Sequence, residues 1–190
     1  MKNSGTVRME TKRLVLRPYV IEDADAMFRN WANDPQVTKY LSWEPHKDVE
    51  ETKQILEGWI KSYESKDFYT WAIARKEDEG NVIGSISVPQ LNQKAGRVTV
   101  GYCLGRNWWG HKIMKEAFAE LIRFFFEVEG ANRVEALHDT RNVNSGKVAG
   151  LRRRAPSAGM GGIIRGYAMS VSMGWWLRII LKGNSRKYKE

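Results

Sequence analysis

Apolar and polar positions along this chain follow two different periods, and the change from one to the other comes at Phe68. Before it the pattern is mostly helical. A short strand signal, Leu14–Arg17, ends at Pro18, which suits a strand end or edge. Glu22–Asp25 then forms an acid-rich helix opening, followed by Ala26, Met27, Trp31 and Ala32, and Asn33-Asp34-Pro35 stops that helix. After a loop with Trp43, Pro45 and His46, a second helix is expected over Asp48–Tyr63, with Ile55, Leu56, Trp59 and Ile60 as its apolar stripe.

Beyond Phe68 the alternation is that of strands. Tyr69–Ala74 and Val82–Val88 read as a hairpin around an acidic turn, Glu77–Asn81, and after a polar turn, Gln90–Gly96, the next strand is Arg97–Leu104. Gly101, inside that strand, marks a bulge or a close backbone approach. The clearest helix spans Gly110–Glu129, with Met114, Ala117, Phe118, Leu121, Ile122, Phe125 and Val128 at helical spacing, and Gly130 ends it. Arg133–Leu137 is again a strand. Strand, loop, helix, strand makes a βαβ unit, whose strands should be parallel neighbours with ligands at their carboxyl ends. A further helix is expected to start near Asn142, Asn144 and Ser145, all competent caps. Past Val148 the period is lost, although Ile163–Met169 and Trp175–Leu181 are plausible final strands.

The length, 190 residues, fits one domain, and 42% hydrophobic with 28% charged residues is a globular balance. The longest apolar run, Ala168–Leu181, contains Arg178 and is too short to cross a bilayer, so no membrane partner is expected. The polar beginning of the chain has no leader-like apolar stretch, and a single cysteine, Cys103, excludes an internal disulfide; a cytoplasmic location is the expectation. The formal charge of +9 is confined. Lys147–Glu190 holds ten Lys or Arg and one acidic residue, which leaves 21 of each sign before it. That asymmetry points first to something unusual about the tail.

The chemistry concentrates between Gly101 and Glu116, where Arg106, His111, Lys112 and Lys115 crowd a helix start. Cations there oppose the helix dipole unless an anion compensates, and a bound polyphosphate would do so. No phosphate-loop or dinucleotide glycine pattern is present, and His46, His111 and His138 lack metal-ligand spacing. Cys103 lies within a strand, where a small buried hydrophobe is a better reading than a nucleophile. Transfer of a group from a phosphate-bearing carrier stays open.

In order along the chain, ETKRLVLRP, NDPQV, NVIGSISV, GYCLG, WWGHKIMKEA, NRVEA and NVNSGKV together resemble the GCN5-related N-acetyltransferases (GNAT), and among them the RimJ/RimL-like ribosomal-protein alanine N-acetyltransferases. The resemblance covers about Glu10–Ala149 and implies an α+β fold. Its central sheet would be mixed and mostly antiparallel, with helices on both faces and its fourth and fifth strands forming a parallel, splayed pair. It implies acetyl-CoA as cofactor, with pantetheine lying along Tyr102, Cys103 and Leu104 as a pseudo-strand. The pyrophosphate would sit on the loop of Trp109, Gly110, His111, Lys112, Ile113 and Met114. Asn142 matches the family's pantetheine-contacting asparagine, and Ser145 the acid that protonates the departing thiolate. Thr99 stands where related enzymes often carry glutamate, so Glu135 or a water relay would act as base. The implied acceptor is an amine, a protein N-terminus or a small molecule, and Glu44, Asp48 and Glu51 could attract a cationic one.

Two departures shape the expectations. Lys112 stands where the phosphate loop of the family has glycine. From 150 to 190 the chain is atypical, with GLRRRAPSAGMGGI in place of a continuing helix, and only AGM, RGYAMS and the ending look family-like, as after a local shift of reading frame. The alternatives are a catalytically impaired GNAT-fold protein, or a module that associates with ribosomes or nucleic acid through Arg152, Arg153, Arg154, Arg178, Lys182, Arg186, Lys187 and Lys189. Trp175 and Trp176 could support a homodimer.

Overall fold

A computed structural model gives the structure of the protein and describes residues 1–139, 141–148 and 166–172. Among the described residues seven strands form one sheet in sequential order: β1 (Met9–Glu10), β2 (Leu14–Arg17), β3 (Thr70–Arg75), β4 (Asp78–Asn92), β5 (Arg97–Leu104), β6 (Arg133–Asp139) and β7 (Gly166–Ser172). All neighbours are antiparallel except β5 and β6, which are parallel. The parallel pair is fifth and sixth because the short β1 precedes the strands expected from the pattern. β7 covers the described part of the expected strand at Ile163–Met169 and runs on to Ser172, and the expected strand at Trp175–Leu181 lies outside the described residues.

Side chains alternate across the sheet and seed two cores. On one face Trp71, Ile73, Val98, Val100, Val134 and Ala136 pack against the helix α4 (Ile113–Arg123). On the other, Ala72, Ala74 and Val82 pack against α1 (Ala24–Met27), α2 (Pro35–Thr38) and α3 (Val49–Ser62). The small residues on that second face let the early helices approach closely. Leu56 is the buried centre of α3, with Trp59 partly buried, while Ile55 and Ile60 of the expected stripe are exposed. Asp48 accepts from the Glu51 N–H at 2.8 Å and Glu51 accepts from the Lys47 N–H at 2.8 Å, so these acids start the helix. Asn33-Asp34-Pro35 ends one helical segment and starts the next: Asp34 caps α2 by accepting from the Gln36 N–H at 2.9 Å, with Pro35 in the first turn.

The long helix starts later and ends differently than its period suggests. Gly110 and Lys112 both take left-handed conformations, at φ 80° and 60°, so α4 begins only at Ile113. It passes at Phe124–Val128 into a π turn, which rotates the face enough to bury Phe124, Phe125 and Phe126 together. Tyr69 and Trp71 meet Phe124 and Phe125 at centroid distances of 5.3–6.4 Å. β4 also runs further than expected, because Gln90–Asn92 pair with Arg97–Thr99. The irregularity next to Gly101 belongs to β4, where Val88 and Pro89 oppose Val100 alone.

Candidate active site

The β5–β6 ladder runs from Arg97↔Arg133 to Val100↔Ala136 and stops, while β5 stays paired with β4 as far as Leu104↔Gly84. The two parallel strands therefore part after Val100. The Gly105 N–H donates to the Ile83 carbonyl at 2.9 Å, so the alternation of the antiparallel ladder turns the main-chain groups of Tyr102 and Leu104 away from β4 and into the gap. The Trp109 indole N–H occupies the Leu104 carbonyl at 2.7 Å. Among the described residues no main-chain partner takes the Tyr102 N–H and C=O or the Leu104 N–H, which face the gap as a strand edge. Gly84 sits where β5 passes close by, since a Cβ there would lie 2.6 Å from the Cys103 carbonyl oxygen.

A cavity of about 500 Å³ occupies this gap. Tyr102, Cys103 and Leu104 form one side, and Trp108, Trp109, Gly110, Lys112, Ile113, Met114 and Lys115 bring in the loop and first turn of α4. Asn142, Asn144, Ser145 and Val148 come from the start of α5 (Val143–Val148), and Gln36, Val37, Lys39, Tyr40 and Leu41 from α2 and the following loop. Of the residues expected from sequence, Tyr102, Cys103, Leu104, Trp109, Gly110, Lys112, Ile113, Met114, Asn142 and Ser145 all line the cavity.

His111 and Glu135 do not. His111 is exposed, and its carbonyl accepts from Arg13 Nη2 at 3.2 Å. Glu135 lies in the ladder between Thr99 and Ser170, nearly buried, with its carboxylate 2.5 Å from Arg133 Nε. It belongs to the face opposite Val134 and Ala136. Lys39 and Leu41 line the cavity without any signal in the sequence, because a loop after a short helix carries no periodic pattern, and Tyr40 joins them as a groove-lining aromatic.

Within the cavity, Ser145 Oγ and the Tyr102 hydroxyl are 3.0 Å apart, and the Tyr102 hydroxyl donates to the Ser145 carbonyl at 2.9 Å. Asn142 Oδ1 accepts from the Ser145 N–H at 3.0 Å, which caps α5 and holds Ser145 at the cavity wall. Burial raises the Tyr102 phenol above its ordinary 10, against a lowering by the Ser145 hydrogen bond, so the phenol is protonated at neutral pH. Cys103 keeps some exposure to the cavity, yet burial of the sulfur dominates and pushes its thiol up to about 12.

The cations of the loop divide into two kinds. Arg106 is bound by Asp34, Nε to Oδ2, at 2.5 Å. Lys112 and Lys115 line the cavity beside the first turn of α4. That first turn is tied down by Glu116, which accepts from Thr11 Oγ1 at 2.6 Å, the Arg13 N–H at 2.9 Å and Arg13 Nε at 2.7 Å. No group of three or more His, Cys, Asp or Glu able to hold a metal ion occurs among the described residues.

Comparison with known proteins agrees with this geometry. A family model described as an acetyltransferase (GNAT) domain matches residues 13–150. The uncharacterized N-acetyltransferase p20 of Bacillus licheniformis is 36% identical over 139 residues, 73% of this chain and 76% of that protein. The [ribosomal protein uS5]-alanine N-acetyltransferase of Escherichia coli (strain K12) is 26% identical over 151 residues, 76% of each. Among solved structures, a GCN5-related N-acetyltransferase from Brucella melitensis superposes with a TM-score of 0.74 at 21% identity, over 90% of this chain and 80% of that one.

Proposed function

Because the chain belongs to the GNAT acetyltransferase family, we propose that it moves an acetyl group from acetyl-CoA to a primary amine by direct attack in a ternary complex. The observation that carries this is the parting of β5 from β6 after Val100, with the Ser145–Tyr102 hydroxyl pair in the resulting cavity. The residues fit the cofactor. An unused strand edge suits the amides of pantetheine, and Lys112 and Lys115 beside the first turn of α4 suit its phosphates. When bound, acetyl-CoA supplies a thioester with a good leaving group.

The chain's own contributions follow from the geometry. One N–H of the Tyr102–Leu104 edge is the donor for a carbonyl oxygen that gains charge during attack, the rest of the edge being left to pantetheine. Ser145 Oγ, which donates to the Tyr102 oxygen, holds the proton for the departing sulfur, and the protonated Tyr102 phenol can restore it by turning its O–H from the Ser145 carbonyl to Oγ. Asn142 positions Ser145 through its N–H. No carboxylate lines the cavity among the described residues, so the amine enters neutral or loses its proton to water, and Glu135 is left to its ion pair with Arg133. The acceptor class is an amine, a protein N-terminus or a small molecule. The relative named for an alanine of ribosomal protein uS5 supports the first.

Calorimetry with acetyl-CoA, followed by single-turnover kinetics, tests the reading. Ser145→Ala should lower the rate of acetyl transfer about 100-fold while leaving acetyl-CoA affinity nearly unchanged. A wild-type protein that does not bind acetyl-CoA would refute the proposal, and an unchanged rate would remove Ser145 from its role.

A further inference from the structure

The charge of the cavity narrows the acceptor, on the premise of the acetyl-transfer reading above. Of the acids that could have attracted a cationic amine, Glu44 is exposed and does not line the cavity, and the others are otherwise committed. Asp48 and Glu51 start α3, and Asp34 holds Arg106 and caps α2. Asp139 is bound by Arg141 through both carboxylate oxygens, at 3.0 and 2.7 Å. What lines the cavity is three lysines and, among the described residues, no carboxylate.

Two of those lysines, Lys112 and Lys115, flank the start of α4 and are accounted for by phosphates. The third is elsewhere. Lys39 follows α2, with Nζ 5.4 Å from the centroid of the Tyr40 ring, and the Arg141 guanidinium lies 5.7 Å from the same centroid. The Tyr40–Arg141 contact joins the loop after α2 to the residue preceding Asn142, so it brings together two segments that line the cavity. Asp139 fixes and neutralises Arg141, whereas no carboxylate among the described residues pairs with Lys39. A second ammonium on the acceptor would meet this lysine as a like charge, and an anionic group would find it unpaired.

We propose that the acceptor is an amine bearing a carboxylate or comparable anionic group near the reacting nitrogen, and that Lys39, seated on Tyr40, receives that group and selects against polycationic amines. The same chemistry is offered by an acidic protein N-terminus and by a small amino acid, so the test has two arms. Initial rates are measured with the peptide amides Ala-Glu-Glu-Gly and Ala-Lys-Lys-Gly, and with free glutamate against cadaverine. The acidic member of at least one pair should have a kcat/KM higher by about tenfold or more, and the pair that shows it identifies the source. Lys39→Glu should abolish or reverse that preference, with acetyl-CoA affinity by calorimetry held within about twofold of wild type. Equal or inverted preference in both pairs, no turnover of either acidic acceptor, or a preference untouched by Lys39→Glu overturns the proposal. So does a loss of acetyl-CoA affinity in Lys39→Glu, which would assign the lysine to the coenzyme phosphates. A wild type that fails to bind acetyl-CoA instead brings down the acetyl-transfer reading itself.

Discussion

Lys112 shows how one residue carries both fold and site. It caps α4 at φ 60° and ψ 14°, a left-handed conformation that costs a residue with a Cβ about 1–2 kcal/mol and glycine little. Lys112→Gly should therefore raise stability by about 1 kcal/mol, read as an upward shift of the urea midpoint. The loop geometry thus has the form a glycine would take, and the lysine adopts it. Cys103 gives a second prediction. With its thiol pushed from about 9 to about 12, the folded protein should resist iodoacetamide at pH 8, while the urea-unfolded chain is labelled readily. A raised value also has a fixed sign for stability. The contribution is complete below the unfolded value near 9 and is lost as pH rises toward 12, because the unfolded thiol ionises while the folded one does not. Fast labelling of the folded protein would show an open sulfur.

At the scale of elements, the end of the π turn that follows α4 is held by the beginning of the chain. Glu129, fully buried, accepts from the Asn3 and Ser4 N–H groups at 2.8 Å each, and its carbonyl accepts from the Lys2 N–H at 3.1 Å. Asn3 and Gly5 take left-handed conformations, at φ 59° and 73°, which curl the main-chain N–H groups around the carboxylate. Deleting residues 1–4 would leave that carboxylate without these donors and should cost about 1–3 kcal/mol, measured by thermal denaturation. Glu129→Gln in the deleted chain should recover part of the loss, because a neutral amide is cheaper to leave buried. The strap cannot be read from the pattern of the N-terminal residues, since it depends on a contact across more than 120 positions.

On the scale of the whole molecule, the sheet is continuous on one side of β5 and open on the other. That asymmetry creates a cavity without a missing strand. A ligand bridging the opening should stabilise the fold as a unit. At 100 times its Kd, acetyl-CoA should add about 2.7 kcal/mol and raise Tm accordingly, whereas an unshifted Tm would argue against binding in this gap. β7 pairs with β6 over seven residues, from Gly166↔Asp139 to Ser172↔Arg133, so residues 166–172 of the atypical tail join the sheet. The basic cluster at Arg152, Arg153 and Arg154 and the pair Trp175 and Trp176 lie outside the described residues. No described helix is long and apolar enough to cross a membrane.

Sequence alone determined the elements whose signals are local. These are the α4 stripe, the βαβ order, the strand alternation and the helix starts near Asp48 and near Asn142, all set by side-chain spacing within one or two turns. Together with the ordered motifs, they were enough to indicate the family and ten of the cavity-lining residues. Only the tertiary structure decided what depends on register and on distant partners. It showed where the parallel ladder stops, that Ser145 reaches Tyr102, that Glu135 is held by Arg133 outside the cavity, and that Lys39 and Tyr40 enter it. The physical reason is that a spacing pattern records which way a side chain points from its own element, while the site consists of gaps and contacts between elements, set by packing across the sheet.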